Sequence, residues 1–176
     1  MLIFLVGYAG SGKSSMGKRL ARRLGCRFVD TDKRVEEREG ASVADIFYFG
    51  GEEYFREAER RAVEDIAYDG TTMVVATGGG LPTWRDNMEW LNAHGMTIYL
   101  RRSAEQILSR LSDYGREKRP MFRGKSDEEL LQFMREQMGD RERFYAMANI
   151  AVECDRVSDD DAVELIVNKI VAIDNE

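Results

Sequence analysis

Five short runs of apolar and β-branched residues recur along the chain and predict strands. They cover residues 2–6, 27–30, 73–76, 96–100 and 150–153. The stretches between them repeat their apolar residues at helical spacing. Strands that alternate with helices are typical of a parallel sheet with helices on both faces. The pattern therefore predicts an α/β fold in which residues 1–176 form a single domain.

The first predicted helix lies between the first two strands. Met16, Leu20 and Leu24 recur at every fourth position and form its apolar face, and Gly25 is expected to end it. The remaining helices are predicted over residues 103–111, 127–138 and 159–173. Together with the segment described next, they supply the layers that cover the sheet.

Two segments do not fit a simple alternation of strand and helix. About 40 residues separate the second and third strands, which is more than one crossover helix needs, and the pattern there predicts several helices broken at Gly40 and near Gly50. We interpret residues 33–60 as an insertion that covers a substrate. Residues 112–125 carry charge and glycine without apolar periodicity, so we expect a mobile loop there.

Composition and charge exclude several classes of protein. Hydrophobic residues make up 43% of the 176 residues and charged residues 33%, which is typical of a globular domain. The net charge of −6 argues against nucleic acid as a partner. Two cysteines are too few for a secreted disulfide framework, and the N-terminal apolar run is too short for a signal peptide or a membrane span, which favours the cytoplasm. No heptad or apolar stripe indicates a dimer, so a monomer is expected.

A phosphate-binding motif occupies residues 7–14, which read GYAGSGKS and match G-x-x-x-x-G-K-[ST] between a predicted strand and a predicted helix. Its glycines let the backbone wrap a phosphate, and the N–H groups at the helix start supply donors. Lys13 would reach the β and γ oxygens of a nucleotide, and Ser14 would coordinate Mg²⁺. An ordinary glycine turn is the alternative interpretation. The predicted ATP-binding residues here are Gly10, Ser11, Gly12, Lys13, Ser14 and Ser15.

Carboxylates follow the second predicted strand and are candidates for the catalytic base. His94 is the only histidine, so a carboxylate is the more plausible base. Strand alternation would place Asp30 and Asp32 on one side, where one could support Mg²⁺ and the other could accept a proton from an attacking hydroxyl. A helix N-cap is the competing interpretation of both residues.

Three further features could belong to an acceptor site. The glycines at 78–80 follow the third strand and would let a ligand lie against bare backbone, although a plain turn is the alternative. Arg56 and Glu59 form either a surface salt bridge or, inside a pocket, an arginine held in place for an anion. Arg101 and Arg102 follow the fourth strand, and we interpret them as a solvated pair.

Taken together, these features resemble the shikimate kinase family in order and spacing over nearly the whole chain. The resemblance rests on residues 7–14, 30–32, 45–47, 54–59 and 78–80, on Arg119 with Pro120, and on Arg141. It implies a three-layer, nucleoside-monophosphate-kinase-like fold with a five-stranded parallel sheet in the order 2-3-1-4-5 and a lid over residues 112–125. It also implies transfer of the ATP γ-phosphoryl group to the 3-hydroxyl of shikimate, with Mg²⁺, on the pathway to chorismate and the aromatic amino acids.

The same resemblance assigns roles to matching residues. Asp32 would contact two shikimate hydroxyls and act as the base for the 3-hydroxyl, while Asp30 would support Mg²⁺ beside Ser14. Lys13 and Arg119, the latter carried by the lid, would stabilise charge on the transferred group. The residues that would hold the shikimate carboxylate or line its pocket are Arg56, Arg141, Gly78, Gly79 and Gly80, with Glu59 orienting Arg56. The residues that would flank adenine are Arg110 and Arg156. The lid also contains Arg116, Lys118 and Arg123, so more than one lid cation could act.

Two other functions compete with this interpretation. The first is another small-molecule kinase with a phosphate loop, acting on gluconate or a nucleoside monophosphate. Such a change of acceptor is possible because one substituted side chain can redirect specificity. The second is a nucleotide-binding module without catalytic activity. The presence of Lys13, Ser14, Asp32 and the three arginines at 56, 119 and 141 argues against it.

Overall fold

A five-stranded parallel sheet forms the centre of the protein, as seen in a computed structural model that describes residues 1–174. The strands are β1 (Leu2–Val6), β2 (Arg27–Asp30), β3 (Met73–Ala76), β4 (Met96–Arg101) and β5 (Ile150–Glu153). Their order is β2-β3-β1-β4-β5, and every neighbouring pair is parallel. The predicted fold class, strand positions and order 2-3-1-4-5 are confirmed.

Helices pack on both faces of this sheet. They are α1 (Lys13–Leu24), α2 (Thr31–Glu39), α3 (Val43–Tyr68), α4 (Asn87–His94), α5 (Ala104–Arg110), α6 (Asp113–Glu117), α7 (Asp127–Tyr145) and α8 (Asp159–Asp174). Helices α1 and α8 cover one face, and α3, α4, α5 and α7 cover the other. Among the described residues, no helix combines the length and the hydropathy needed to cross a bilayer.

The central strand β1 shows why both faces need cover. Leu2, Phe4 and Val6 join the core on the side of α3 and α7, whereas Ile3 and Leu5 join the core on the side of α1 and α8. All five side chains are buried, and each contributes roughly 1.5–3 kcal/mol relative to an exposed position. This burial fixes the carboxyl end of β1, from which the phosphate-binding motif begins.

Glycines end or bend the helices where the sequence predicted. Gly25 and Gly40 follow α1 and α2 with φ values of 65° and 66°, in the left-handed region that glycine adopts without strain. Gly51 has φ 79° and ψ 175° and kinks α3. Gly139 does not end α7, although the prediction stopped at residue 138, because this exposed glycine lies in helical backbone and the apolar face continues to Tyr145.

Two short helices were not predicted. Helix α4 has eight residues and buries Met88 and Leu91, which is too brief a pattern to register as periodicity. The lid segment, residues 112–125, was expected to be a mobile loop; it contains α6 and a 3-10 turn at Pro120–Phe122. The lid is also anchored, since Phe122 is fully buried and stacks at 6.4 Å from the ring of Tyr8.

Candidate active site

The phosphate loop, residues 7–14, leaves the carboxyl end of β1 and opens α1. Gly7, Gly10 and Gly12 have φ values of 142°, 83° and 101°, which favour glycine at each position. A Cβ at Gly7 would also lie 2.8 Å from the carbonyl oxygen of Leu100. The loop borders a cavity of about 310 Å³, here called the phosphate cavity. Its lining includes Gly10, Gly12, Lys13, Ser14, Ser15, Asp30, Asp32 and Arg119.

Lys13 is buried at the floor of the phosphate loop. Its Nζ donates hydrogen bonds to the carbonyl oxygens of Gly7 at 2.7 Å and Tyr8 at 2.8 Å. Burial lowers the pKa of Lys13 to about 8, and Asp32 opposes that fall. The ammonium group is therefore poorly solvated, and an anion placed beside it would interact strongly.

Ser14 and Asp30 join the phosphate loop to the end of β2. The hydroxyl of Ser14 donates to Oδ2 of Asp30 at 2.6 Å, while Oδ1 of Asp30 accepts the backbone N–H of Asp32 at 3.1 Å. Asp30 therefore caps α2 and faces the phosphate cavity at the same time. The interpretation of Asp30 as a helix cap is confirmed, and its role toward Mg²⁺ stays a prediction.

Asp32 reaches the same cavity by a different route from the one predicted. It lies in the first turn of α2, so strand alternation does not apply to it, and that part of the reasoning was wrong. Its Oδ1 atom is buried and accepts no hydrogen bond within the described residues. Burial, followed by the charge of Asp30, raises the pKa of Asp32 from its ordinary value of 3.8 to about 6. Such a carboxylate is a competent proton acceptor near neutral pH.

A second cavity of about 300 Å³ adjoins the first and is here called the arginine cavity. It lies between α3, α7, the lid and the glycine loop, residues 78–80. Its charged and glycine lining consists of Asp32, Arg56, Glu59, Gly78, Gly79, Gly80, Lys118, Arg119 and Arg141. Phe47, Phe55 and Met121 supply apolar walls. The structure thus brings Arg56, Arg141 and the glycine loop together, as predicted.

Arg56 and Glu59 form a buried pair, so the surface salt bridge considered above is wrong. Their side chains are 8% and 0% exposed, and Nη1 of Arg56 donates to Oε2 of Glu59 at 2.5 Å. Burial raises the pKa of Glu59, and the Arg56 guanidinium opposes that rise. Arg56 also lies over the rings of Phe47 and Phe55, at 5.8 and 5.4 Å from the centroids. These contacts hold the guanidinium in one orientation.

The glycine loop fits because it has no side chains. A Cβ at Gly78 would lie 2.1 Å from Oε1 of Glu59 and 2.7 Å from Oδ1 of Asp32. A Cβ at Gly80 would lie 2.2 Å from Nη2 of Arg56. The loop is therefore a close-packed wall against charged side chains rather than a plain turn.

Arg119 connects the two cavities, because its side chain borders both. It begins the 3-10 turn of the lid, and its Nη1 donates to the carbonyl oxygen of Gly115 at 2.7 Å. Burial lowers the pKa of Arg119 below its ordinary value, and the negative charge of Asp32 opposes that fall. Arg119 therefore lies at the boundary between the two cavities.

Sequence reasoning misjudged Arg102. Only Arg101 behaves as a solvated arginine, whereas Arg102 is 3% exposed. Arg102 donates from Nε to the carbonyl oxygen of Ser11 at 3.3 Å and from Nη2 to Asp159 at 3.1 Å. Arg102 therefore stabilises the phosphate loop through the carbonyl of Ser11, on the side away from the phosphate cavity. Only a contact across the fold reveals this role, so the sequence carried no signal for it.

The resemblance implies that Arg110 and Arg156 flank adenine. Arg110 donates to Asp159 at 3.0 and 2.8 Å, and Arg156 is exposed. Within the described part of the chain, neither borders the phosphate cavity or the arginine cavity. Their roles stay predictions.

Comparisons with known proteins agree with this geometry. A shikimate kinase family model matches residues 9–172. A shikimate kinase of Parabacteroides distasonis is 39% identical over 171 residues, which cover 97% of this chain and 98% of that protein. The crystal structure of shikimate kinase from Bacteroides thetaiotaomicron superposes with a TM-score of 0.88 at 34% identity, covering 97% of this chain and 98% of that one.

A third comparison involves a structure with a bound ligand. Shikimate kinase from Acinetobacter baumannii in complex with shikimate superposes with a TM-score of 0.86 at 31% identity, covering 97% of this chain and 93% of that one. The likeness in sequence and in fold extends over nearly the full length of each protein. The chain therefore belongs to the shikimate kinase family of ATP-dependent kinases.

Proposed function

We propose that this chain transfers the γ-phosphoryl group of ATP to the 3-hydroxyl of shikimate, giving shikimate 3-phosphate and ADP, through the residues described below. The family's reaction is a step toward chorismate and the aromatic amino acids. One observation carries the proposal: the phosphate cavity and the arginine cavity share Asp32, Arg119, Gly78 and Gly79. A nucleotide and a small anionic acceptor could therefore meet at Asp32.

The arginine cavity suits a small ring that bears one carboxylate. Arg56 and Arg141 can hold the carboxylate by charge-assisted hydrogen bonds, and Glu59 fixes the orientation of Arg56. Phe47 and Phe55 present apolar surface to the faces of a ring. Bare backbone at residues 78–80 lets the acceptor approach closely.

Asp32 takes the proton in the proposed mechanism. Its carboxylate borders both cavities and accepts a hydrogen bond from the 3-hydroxyl, and the proton moves to this carboxylate as the bond from oxygen to phosphorus forms. The bond between the γ-phosphorus and the β-γ bridging oxygen breaks, and ADP leaves. Lys13 and Arg119 balance the charge that spreads over the phosphoryl oxygens and the leaving oxygen.

The residues beside the phosphate loop fit Mg²⁺. The hydroxyl of Ser14 and the carboxylate of Asp30 are hard oxygen donors in mutual contact at the cavity wall. Among the described residues, no cluster of three or more histidine, cysteine or acidic side chains forms a metal cage, and Mg²⁺ does not need one because it keeps water and phosphate ligands. Ser14 would hold the ion directly and Asp30 would support it. When bound, the ion supplies charge neutralisation at the phosphate oxygens.

Several further predictions complete the proposal. Residues 33–60 cover the acceptor, residues 112–125 close over ATP, and Arg110 and Arg156 flank adenine once a nucleotide binds. The protein acts as a monomer in the cytoplasm, without nucleic acid or membrane partners. Both cysteines are free thiols, which supports a reducing compartment.

The carboxylate assignment is tested with Arg141→Ala and with Arg143→Ala as the matched control. Arg143 lies on the same helix but is exposed over the ring of Phe144. Arg141→Ala should lower kcat/KM for shikimate by at least about 30-fold, since a charged contact of this kind contributes roughly 2 kcal/mol or more. The loss should be much smaller for shikimate methyl ester, and Arg143→Ala should change neither value. Equal losses for acid and ester would contradict the assignment.

A further inference from the structure

One face of α7 carries three polar side chains at intervals of four residues: Gln137, Arg141 and Tyr145. Residues four apart lie above one another on a helix, so these three form a row. The middle member is the arginine proposed to hold the shikimate carboxylate. The two outer members each contact a different loop of the active site.

The first contact joins α7 to the phosphate loop. The phenol of Tyr8, the residue after Gly7, donates to Oε1 of Gln137 at 2.6 Å. Tyr8 is 2% exposed, and burial raises its pKa well above the ordinary value. The phenol therefore stays protonated and keeps its role as donor at any physiological pH.

The second contact joins α7 to the glycine loop. The phenol of Tyr145 donates to the carbonyl oxygen of Gly79 at 2.6 Å, and the side chain is 1% exposed. Burial raises the pKa of Tyr145 to about 12, so this donor also persists. The two loops touch each other as well, since a Cβ at Gly79 would lie 3.1 Å from the backbone nitrogen of Ala9. Helix α7 and both loops thus form one connected unit.

Arg141 sits between these contacts and is held differently from Arg56. Its guanidinium carbon lies 5.7 Å from the centroid of the Tyr8 ring, and its charge acts on both Tyr8 and Tyr145. Arg56 is paired with Glu59, whereas Arg141 has no carboxylate partner within 4 Å among residues 1–174. A protein carboxylate there would compete with the substrate. Neutral phenols can fix the position of the Arg141 guanidinium without neutralising its charge, which is then free to pair with a substrate carboxylate.

We propose that Tyr8 and Tyr145 are positioning residues for shikimate recognition: by tying the two ends of the row on α7 to the phosphate loop and the glycine loop, they aim Arg141 at the carboxylate of the acceptor. This inference rests on the proposed role of Arg141. It assigns the specificity for a carboxylate partly to two phenol hydroxyls that touch neither substrate nor nucleotide.

The test replaces only the hydroxyls, with Tyr145→Phe and Tyr8→Phe, and measures kcat/KM for shikimate and for shikimate methyl ester. Tyr99→Phe is the matched control, because Tyr99 packs on Tyr145 at 5.3 Å but donates its hydroxyl to Glu142 rather than to a loop. The quantity compared is kcat/KM for shikimate divided by kcat/KM for its methyl ester. We expect each test variant to lower this ratio of acid to ester at least about fivefold, because KM for shikimate rises while KM for ATP stays unchanged. The control should keep the wild-type ratio.

The outcomes separate the inference from the function on which it rests. A wild-type ratio near one would overturn the carboxylate assignment and the inference together. A large wild-type ratio that both test variants preserve would overturn the inference alone, and so would equal losses for acid and ester, which would indicate packing damage. Gln137→Met provides a further variant that leaves both tyrosines intact; it removes the acceptor for Tyr8 and should lower the ratio as Tyr8→Phe does.

Discussion

Gly78→Ala is the smallest change that should disable the site, because it adds one methyl group where two carboxylates converge. Ordinary contact begins at about 3.4 Å, yet the new Cβ would lie 2.1 Å from Oε1 of Glu59 and 2.7 Å from Oδ1 of Asp32. Glu59 must therefore retreat by about 1.3 Å, and Asp32 by about half of that. Both oxygens are buried and have no hydrogen-bond partner among the described residues, so the surrounding side chains must move with them. The backbone of Gly78 is not in the left-handed region, so the effect is steric alone.

The displacement affects the anchor of the acceptor and the base at once. Moving Glu59 breaks its 2.5 Å bond to Arg56, and moving Asp32 misplaces the base. A shift of about 1 Å in a catalytic group commonly costs on the order of 100-fold in rate. We therefore expect kcat/KM for shikimate to fall by about 100-fold, with the affinity for ATP changed less than about threefold.

Steady-state kinetics with varied shikimate and varied ATP would measure both effects. Gly139→Ala is the control, because Gly139 lies in α7 with nothing within 4 Å of its Cβ, and alanine there should be neutral or stabilising by up to about 1 kcal/mol. Thermal unfolding of each variant would show whether loss of activity follows loss of folding. A fully folded Gly78→Ala protein with wild-type kcat/KM would refute the close-packed arrangement of Asp32, Glu59 and the glycine loop.

Four more predictions concern Asp32 and Arg102. Asp32→Asn should lower kcat by more than about tenfold while ATP binding, measured by calorimetry, persists; unchanged turnover would remove Asp32 from the mechanism. Because the base must be ionised and the pKa of Asp32 is raised to about 6, wild-type kcat/KM should fall as the pH drops through that value, and a flat acid limb would contradict the assignment. The raised pKa also means that ionisation of Asp32 costs native stability, and this loss begins as the pH rises past 3.8 and is complete above about pH 6. Asp32→Asn should therefore gain about 3 kcal/mol in unfolding free energy at pH 7 and much less at pH 4. Arg102→Gln should raise KM for ATP without raising KM for shikimate, because it releases the carbonyl of Ser11; Arg101→Gln is the control, and equal changes in both KM values would count against a brace on the phosphate loop.

The sheet was predictable because each strand carries its own local signal. The apolar run of β1 and the glycine that follows it identify a buried strand and a tight turn without reference to the rest of the chain. The breaks at Gly40 and Gly51 have the same local origin, since glycine alone adopts their backbone conformation readily. The order of the strands within the sheet has no such local signal. It was predicted from the family resemblance rather than from periodicity.

The errors have a common physical cause, which is that tertiary contacts decided the outcome. Arg102 looks like its neighbour Arg101 in sequence, and only packing against Ser11 and Asp159 buries it. Phe122 is fully buried in a segment whose composition predicted a mobile loop. Asp32 faces the expected cavity, but the first turn of α2 rather than a strand places it there.

The central claim is that shikimate is the acceptor, and ADP release by the purified protein with Mg-ATP tests it most directly. Shikimate, gluconate, CMP and a sample without acceptor would be compared under identical conditions. The account predicts that shikimate alone stimulates release above the background without acceptor. Stimulation by gluconate or CMP instead, or ATP binding with no stimulation by any acceptor, would contradict it.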